Sequence, residues 1–353
     1  MNVGLNEATQ SVARTVPLIR APARVLVTGS GGFIGRHLVR HLVAKGYVVH
    51  GLDTMKSDWQ HSSFTEHTGD ILNKEWLTQT IASIAPVAIL HLAARTDLDE
   101  TRDIAGYSAN TEGVTNLLAA VDESPTVERV VCTSSQLVCR MGYTPTHDED
   151  YQPTTVYGQS KVETELRWRK ADGADRTWCM VRPTTIWGPG MNPHYLTFFA
   201  LVRDGRYFHI AGGPTPKTYG YVGNTVRQYQ CLLEAPAERI HRKTFYLADS
   251  PQISLEQWAE AFRTALAARR IRTMPRWIAR ALARAGDVVA TVGVKRFPFT
   301  SFRLNNVVTP SVVALGPTTD VCGMPSIELA TAVAATTEWM KRVWAGGSRW
   351  AID

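Results

Sequence analysis

Residues 24–53, RVLVTGSGGFIGRHLVRHLVAKGYVVHGLD, leave few folds open to this chain. A short apolar run passes through a glycine turn into residues with helical apolar spacing, then into a second apolar run that ends on Asp53. Each glycine has a task in such a strand–turn–helix–strand unit. Gly29 allows the tight turn, Gly32 lets the backbone approach a pyrophosphate, and Gly35 lets the helix pack closely on the strand. The unpaired N–H groups and positive dipole end of the helix then face the phosphates. Asp53 stands where a carboxylate accepts hydrogen bonds from both adenosine ribose hydroxyls and repels a 2′-phosphate. The expected cofactor is therefore NAD and not NADP; Lys56, three residues on, is the one nearby charge that weakens this choice.

The same rhythm continues downstream. NKEWLTQTIASI and SANTEGVTNLLAAV read as helices, VAILHLAA and VERVVCTSS as strands, and such alternation builds a parallel sheet wound by helices on both faces. The predicted class is α/β, a Rossmann-type doubly wound parallel sheet with a smaller C-terminal α/β substrate lobe. Ligands of such sheets sit beyond the carboxyl ends of the strands, which here carry TGD (68–70), HLAA (91–94) and TSSQ (133–136).

Tyr157 and Lys161 stand four residues apart in TTVYGQSKVETELRW, so on a helix they share one face. On its own the spacing describes an ordinary surface pair. Beside a nicotinamide it acquires a purpose: a phenol is a poor base at neutral pH, and bringing it into range takes roughly 3 to 4 kcal/mol of differential stabilisation. A neighbouring ammonium and a positive nicotinamide ring supply charge of the right sign. Tyr157 then exchanges the hydroxyl proton of an alcohol, Lys161 also holds the nicotinamide ribose, and Ser135 steadies the same oxygen.

With these residues in place, the chain from about residue 23 resembles the extended short-chain dehydrogenases/reductases, in particular the NAD-dependent epimerase/dehydratase group acting on sugar nucleotides. The resemblance rests on TGSGGFIG (28–35), Asp53, GDI (69–71), HLAA (91–94), Asn110 before TEGVTNLL, CTSSQLV (132–138), YGQSK (157–161), VRPTTIWGPG (181–190) and SLEQWAEAF (254–262). It implies catalytic roles for Ser135, Tyr157 and Lys161. It implies pyrophosphate contacts from Gly29, Gly32, Phe33, Ile34 and Gly35, and adenine contacts from Asp70 and Ile71. Leu92, Ala93 and Ala94 would meet the adenosine side, with Asn110 and Pro183 also on the cofactor. By the same resemblance Gln136, Thr185 and Lys217 would touch substrate, and the protein would be a homodimer through helices at 103–123 and 157–171.

Three departures shape the expected reaction. Dehydratases of the group carry an acidic pair directly after the serine or threonine, where this chain has Gln136 and Leu137; leucine cannot carry a proton, so dehydration is disfavoured. The group's VYG is here Val138-Cys139-Arg140. Thr185 replaces an asparagine, and Lys217 replaces an arginine that contacts the substrate diphosphate, keeping the charge but not the bidentate fork. The resemblance thus implies an NAD-dependent sugar-nucleotide epimerase. Alternatives are a keto-sugar reductase, an enzyme like the 3β-hydroxysteroid dehydrogenases, whose basic apolar segment resembles residues 275–300, and a nucleotide-binding protein without turnover.

Domain boundaries follow the pattern: a loose tail at 1–22, a cofactor domain at 23–183 and 218–250, and a substrate lobe at 184–217 and 251–353. Five scattered cysteines without C-x-x-C spacing read as reduced thiols, with no metal site. The absence of a signal-like or membrane-length apolar run predicts a cytoplasmic protein without stable membrane association. His37 and His41 share a helix face and are expected to meet solvent. A net charge of +6 is compatible with nucleic acid, an acidic membrane surface or phosphorylated small molecules and does not choose among them; the expected partner is a small-molecule substrate, a nucleotide-activated sugar, and not nucleic acid. Arginines are densest at 267–286, where Arg276, Arg280 and Arg284 line a basic amphipathic helix, expected to pack on the protein with its arginine face solvated.

Overall fold

The computed structural model describes residues 18–291 and 300–352, so most of the expected tail and part of the 275–300 segment lie outside the described residues. The first half builds β1 (Arg24–Thr28), α1 (Phe33–Ala44), β2 (Val48–Asp53), β3 (Phe64–Thr68), α2 (Lys74–Ile84), β4 (Ala88–His91), α3 (Ser108–Asp122), β5 (Arg129–Thr133), α4 (Val156–Lys170), α5 (Asp172–Asp175) and β6 (Thr177–Pro183). The second half adds β7 (Thr185–Trp187), α6 (Pro193–Arg203), β8 (Phe208–Ile210), β9 (Pro216–Lys217), β10 (Tyr219–Tyr221), α7 (Val222–Glu234), α8 (Ala237–Ile240), β11 (Lys243–Leu247), β12 (Ile253–Ser254), α9 (Leu255–Ala265), β13 (Arg272–Met274), α10 (Arg276–Thr291), α11 (Ser301–Val308), α12 (Gly316–Cys322) and α13 (Leu329–Trp344).

Seven parallel strands form the central sheet in the order β11-β6-β5-β4-β1-β2-β3. The order reverses at β1 and β4, and that switch opens a crevice at the carboxyl ends of the strands. Strands covered on both faces need apolar residues throughout, and all of β4 and β6 is buried. One face carries α1 and α7 over Val27, Leu38, Leu42 and Leu232. The other carries α2, α3 and α4 over Leu26, Ile81, Leu117 and Trp168. Asn73 caps α2 by accepting from Trp76 N at 3.1 Å, and Thr155 caps α4 by accepting from Gly158 N at 3.0 Å. The α4 cap fixes where the helix bearing Tyr157 begins.

The lobe has its own aromatic core of Trp187, Phe199, Trp258, Phe262 and Trp339. β7 pairs with β10, β9 antiparallel with β12, and β8 with β13, all as short two-stranded sheets. Within 218–250, α7 and the edge strand β11 belong to the main fold, whereas β10 pairs with β7 and its Tyr219 and Tyr221 join the aromatic core of Trp187 and Trp258. A later segment also departs from the sequence reading: in α12, Val321 and Cys322 pack against the α1/α7 layer and Thr318 Oγ1 donates to Tyr246 O at 2.8 Å. The edge strand and α7 leave apolar surface uncovered, and this late segment covers it.

Two further expectations are corrected. His37 and His41 are half-buried and engaged within the protein, not presented to solvent as a free pair: Nε2 of His37 lies 2.8 Å from Pro189 O, and that of His41 lies 2.6 Å from Gln230 Oε1. Burial lowers both, His37 to about 4, so as neutral rings they tie α1 to its neighbours. In α10 the arginines are solvated as expected, but the inward face is made of Ala279 and Ala283, packed near Leu304 of α11. Trp277 does not pack inward with them and is 71% exposed.

Candidate active site

The crevice is a cleft of about 580 Å³ running from the glycine turn to the N-terminal end of α4. At one end Gly29, Gly32, Phe33, Ile34 and Gly35 form its wall. Close packing explains two of the glycines: a Cβ on Gly35 would stand 2.0 Å from Gly29 O, and one on Gly29, at φ +72°, would stand 2.7 Å from Ala93 N. Asp53 faces the same wall, its Oδ2 accepting from Gly31 N at 2.9 Å and its Oδ1 from Met55 N at 3.0 Å. These bonds aim the carboxylate into the cleft and leave lone pairs for ribose hydroxyls. Asp70 and Ile71 follow β3, and Leu92, Ala93 and Ala94 follow β4; all five line the cleft, as does Pro183 at the end of β6.

A buried relay that the sequence did not reveal holds the 92–94 segment. Thr28 Oγ1 lies 2.7 Å from His91 Nδ1 and accepts from Ala93 N at 3.2 Å. Burial, reinforced by the charge of Lys161, lowers His91 to about 3, so the ring is neutral at physiological pH.

At the other end Ser135, Tyr157 and Lys161 come together. Ser135 and Tyr157 line the cleft together, and Ser135 Oγ accepts from Leu137 N at 3.1 Å. Lys161 Nζ donates to Thr133 O at 3.0 Å, in the strand that ends at the serines. Burial pushes the phenol up to about 12; nearby Ser135 opposes this and Tyr107, with its ring centroid 5.9 Å away, adds to it. Burial draws Lys161 down to about 8, against the pull of Cys132 and Glu165. Lys161 is thus anchored on the end of β5, the strand that leads into Ser135.

Four expected contacts fall outside the cleft lining. Asn110 clamps the chain after β4 to α4: its Oδ1 accepts from Arg95 N at 2.8 Å, and its Nδ2 donates to Arg95 O at 3.0 Å and Ser160 Oγ at 2.9 Å. Gln136 and Thr185 meet each other, Nε2 to Oγ1 at 3.4 Å, beside Ser135 and Thr184. Lys217 is turned into the lobe, where its Nζ donates to Asn306 O at 2.5 Å and Thr309 O at 2.6 Å. An ammonium with buried stem and two carbonyl partners is a structural tether, so the expected diphosphate contact is corrected. Leu137, in the place of a dehydratase acid, does line the cleft, with Thr184, Ile186 and Tyr195 close by.

The cleft fits a dinucleotide by its own chemistry. Gly29, Gly32 and Gly35 give a side-chain-free cradle at a helix N-terminus, Asp53 supplies a ribose acceptor, and Ser134 Oγ is buried without a protein partner on the cleft wall. Residues 25–248 match the NAD dependent epimerase/dehydratase family, well over half of the chain. The chain belongs to that family. Among relatives of this family member, an N-acetyl-α-D-glucosaminyl-diphospho-ditrans,octacis-undecaprenol 4-epimerase of Escherichia coli O157:H7 is 27% identical over 237 residues, 66% of this chain and 69% of the other. A 3-beta-hydroxysteroid dehydrogenase of Mycolicibacterium neoaurum is 28% identical over 250 residues, 67% of this chain and 68% of the other. The fold is shared with the UDP-glucuronic acid 4-epimerase of Bacillus cereus, solved with UDP-glucuronic acid and NAD, at a TM-score of 0.70 and 18% identity over 91% of this chain and 99% of that one. The protein is an NAD-dependent enzyme of the extended short-chain dehydrogenase/reductase type.

Proposed function

We propose that this family member is a sugar epimerase acting on a diphosphate-linked sugar by transient oxidation of a ring carbinol, with Tyr157 as the proton-exchanging group. The observation that carries this reading is the convergence of Ser135, Tyr157 and Lys161 at one end of a cleft whose other end is the glycine cradle. NAD, when bound, supplies the hydride acceptor and a positive ring charge. Gly29, Gly32, Gly35 and Asp53 would hold it, and Lys161 would hold the ribose nearest the reacting carbon. Tyr157 takes the carbinol proton and returns it, and Ser135 orients the substrate oxygen. Leu137 beside them offers no acid for an eliminated hydroxyl, which supports epimerisation over dehydration.

The diphosphate has two candidate carriers, a nucleoside or a polyprenol, the latter named for the Escherichia coli relative. A second reading, oxidation of an uncharged apolar alcohol, is favoured by one observation: the cations of the cleft are both engaged, Lys161 by Thr133 O and Arg95 by Asp97. A homodimer through α3 and α4 belongs to the same proposal and is checked by light scattering.

The test follows epimer formation from UDP-sugars, a polyprenyl-diphospho-sugar and a 3β-hydroxysteroid with catalytic NAD. An epimerase forms product without net NADH. Tyr157→Phe keeps the ring but removes its exchangeable proton, and kcat should fall by about 100-fold or more with NAD affinity unchanged. Full activity in Tyr157→Phe overturns the mechanism; stoichiometric NADH from a steroid, without epimerisation of any sugar, overturns the substrate class.

A further inference from the structure

Among the described residues, no helix is long and apolar enough to cross a membrane, yet α10 has the makings of a helix that lies on one. Its inward face is small: Ala279 and Ala283 are fully buried and let α10 sit close to Leu304 of α11. The outward face carries the bulk. Trp277, 71% exposed, is the most exposed large apolar side chain among the described residues, and Leu282 is 47% exposed. A helix held to its protein by alanines, with tryptophan and leucine facing water, reverses the usual order of burial.

Charge surrounds this apolar band. Arg276, Arg280 and Arg284 recur every fourth residue along its flank, and Arg269, Arg270 and Arg272 lead into the helix; all six are exposed. Residues 267–286 contain no acid, and none of the six arginines forms an ion pair among the described residues. The next carboxylate, Asp287, accepts from Ser301 N at 3.0 Å. The platform is fixed from beneath, because Lys217 tethers the end of α11 through Asn306 O and Thr309 O.

We propose that the outward face of α10 docks reversibly on an anionic bilayer, with Trp277 and Leu282 at the boundary between headgroups and acyl chains and the arginines on lipid phosphates. Indole rings favour that depth, and a basic flank beside an apolar band is the composition of an interfacial helix. A second copy of the chain fits less well, since a two-fold contact through this face would bring the arginine flanks of both copies together. Nucleic acid would engage the arginines but give Leu282 nothing to bury against. Docking is independent of the catalytic reading and extends it, because a bilayer surface is where a lipid-carried substrate would be met.

The full chain is sedimented with vesicles of phosphatidylcholine alone and of phosphatidylcholine with phosphatidylglycerol, alongside Trp277→Ala and a combined Arg276→Gln/Arg280→Gln/Arg284→Gln variant. The wild type should partition at least about 10-fold more strongly onto the anionic vesicles, and the triple variant should lose that preference. Trp277→Ala should weaken binding several-fold at high salt, where the electrostatic part is screened. The altered side chains are exposed, so thermal melts of the variants should match the wild type. Equal binding to both vesicle types, or variants that bind like the wild type, overturns the proposal. So does a Trp277→Ala effect confined to self-association in light scattering, or a tighter Arg-dependent complex with a short RNA duplex than with vesicles.

Discussion

Arg182→Met should cost this protein about 3–5 kcal/mol of stability, because it strands a buried carboxylate. Tyr157, Lys161 and Glu165 follow one another at four-residue steps on α4, and Glu165 is the step that holds the helix to the sheet. Its side chain is fully buried, and Arg182 on β6 is 1% exposed. The guanidinium meets it as a fork: Nε donates to Oε1 and Nη2 to Oε2, both at 2.8 Å. Tyr151 donates to Oε2 at 3.0 Å, and Arg182 also donates to Tyr246 Oη at 3.1 Å and to Asp148 O. Methionine fills the arginine stem but supplies no donor, so Glu165 would keep only Tyr151 and Arg169, the latter 3.7 Å away. The melting temperature should fall on the order of 10 °C. Glu165→Leu alone should be comparably damaging, since it leaves the guanidinium buried without its carboxylate. The combined Glu165→Leu/Arg182→Met protein should recover much of the loss, because an apolar pair replaces a desolvated ionic one. Thermal and urea unfolding of the four proteins gives the coupling energy, expected at about 2 kcal/mol or more. A combined variant as unstable as the sum of the single ones would refute the assignment.

Asp53→Ala should raise the dissociation constant for NAD and narrow its preference over NADP, read by calorimetry; a wild type that binds both equally would remove the role given to Asp53. Lys217 is drawn by burial to about 8, below the ordinary value of a free lysine, so between pH 8 and roughly 10.5 the unfolded chain binds more protons than the folded one and stability gains with pH. The difference in melting temperature between wild type and Lys217→Met should therefore widen from pH 8 to pH 10; a flat difference would show that the ammonium is not buried as described.

The doubly wound sheet could be read from residues 24–53 and the alternation after them, because a parallel strand buried on both faces must be apolar and a phosphate-facing turn must be glycine. Local chemistry of that kind leaves its mark in sequence order. The neighbourhood of Ser135, Tyr157 and Lys161 was legible for the same reason, since each stands at a strand end or at a helix start. Glu165 was legible in principle, one further step along the Tyr157–Lys161 face, but its meaning was not: a buried carboxylate needs Arg182, and only the register of α4 against β6 supplies it. Lys217 shows the opposite case. Its place in the motif suggests a ligand contact, yet the fold brings Asn306 and Thr309, some ninety residues later in the chain, onto its ammonium. In α10 the sequence determined the helix and its basic flank, while the tertiary structure decided which face turned inward. Alanines allow closer approach to α11 than tryptophan does, so close packing went to the small residues and the large apolar ones were left facing out.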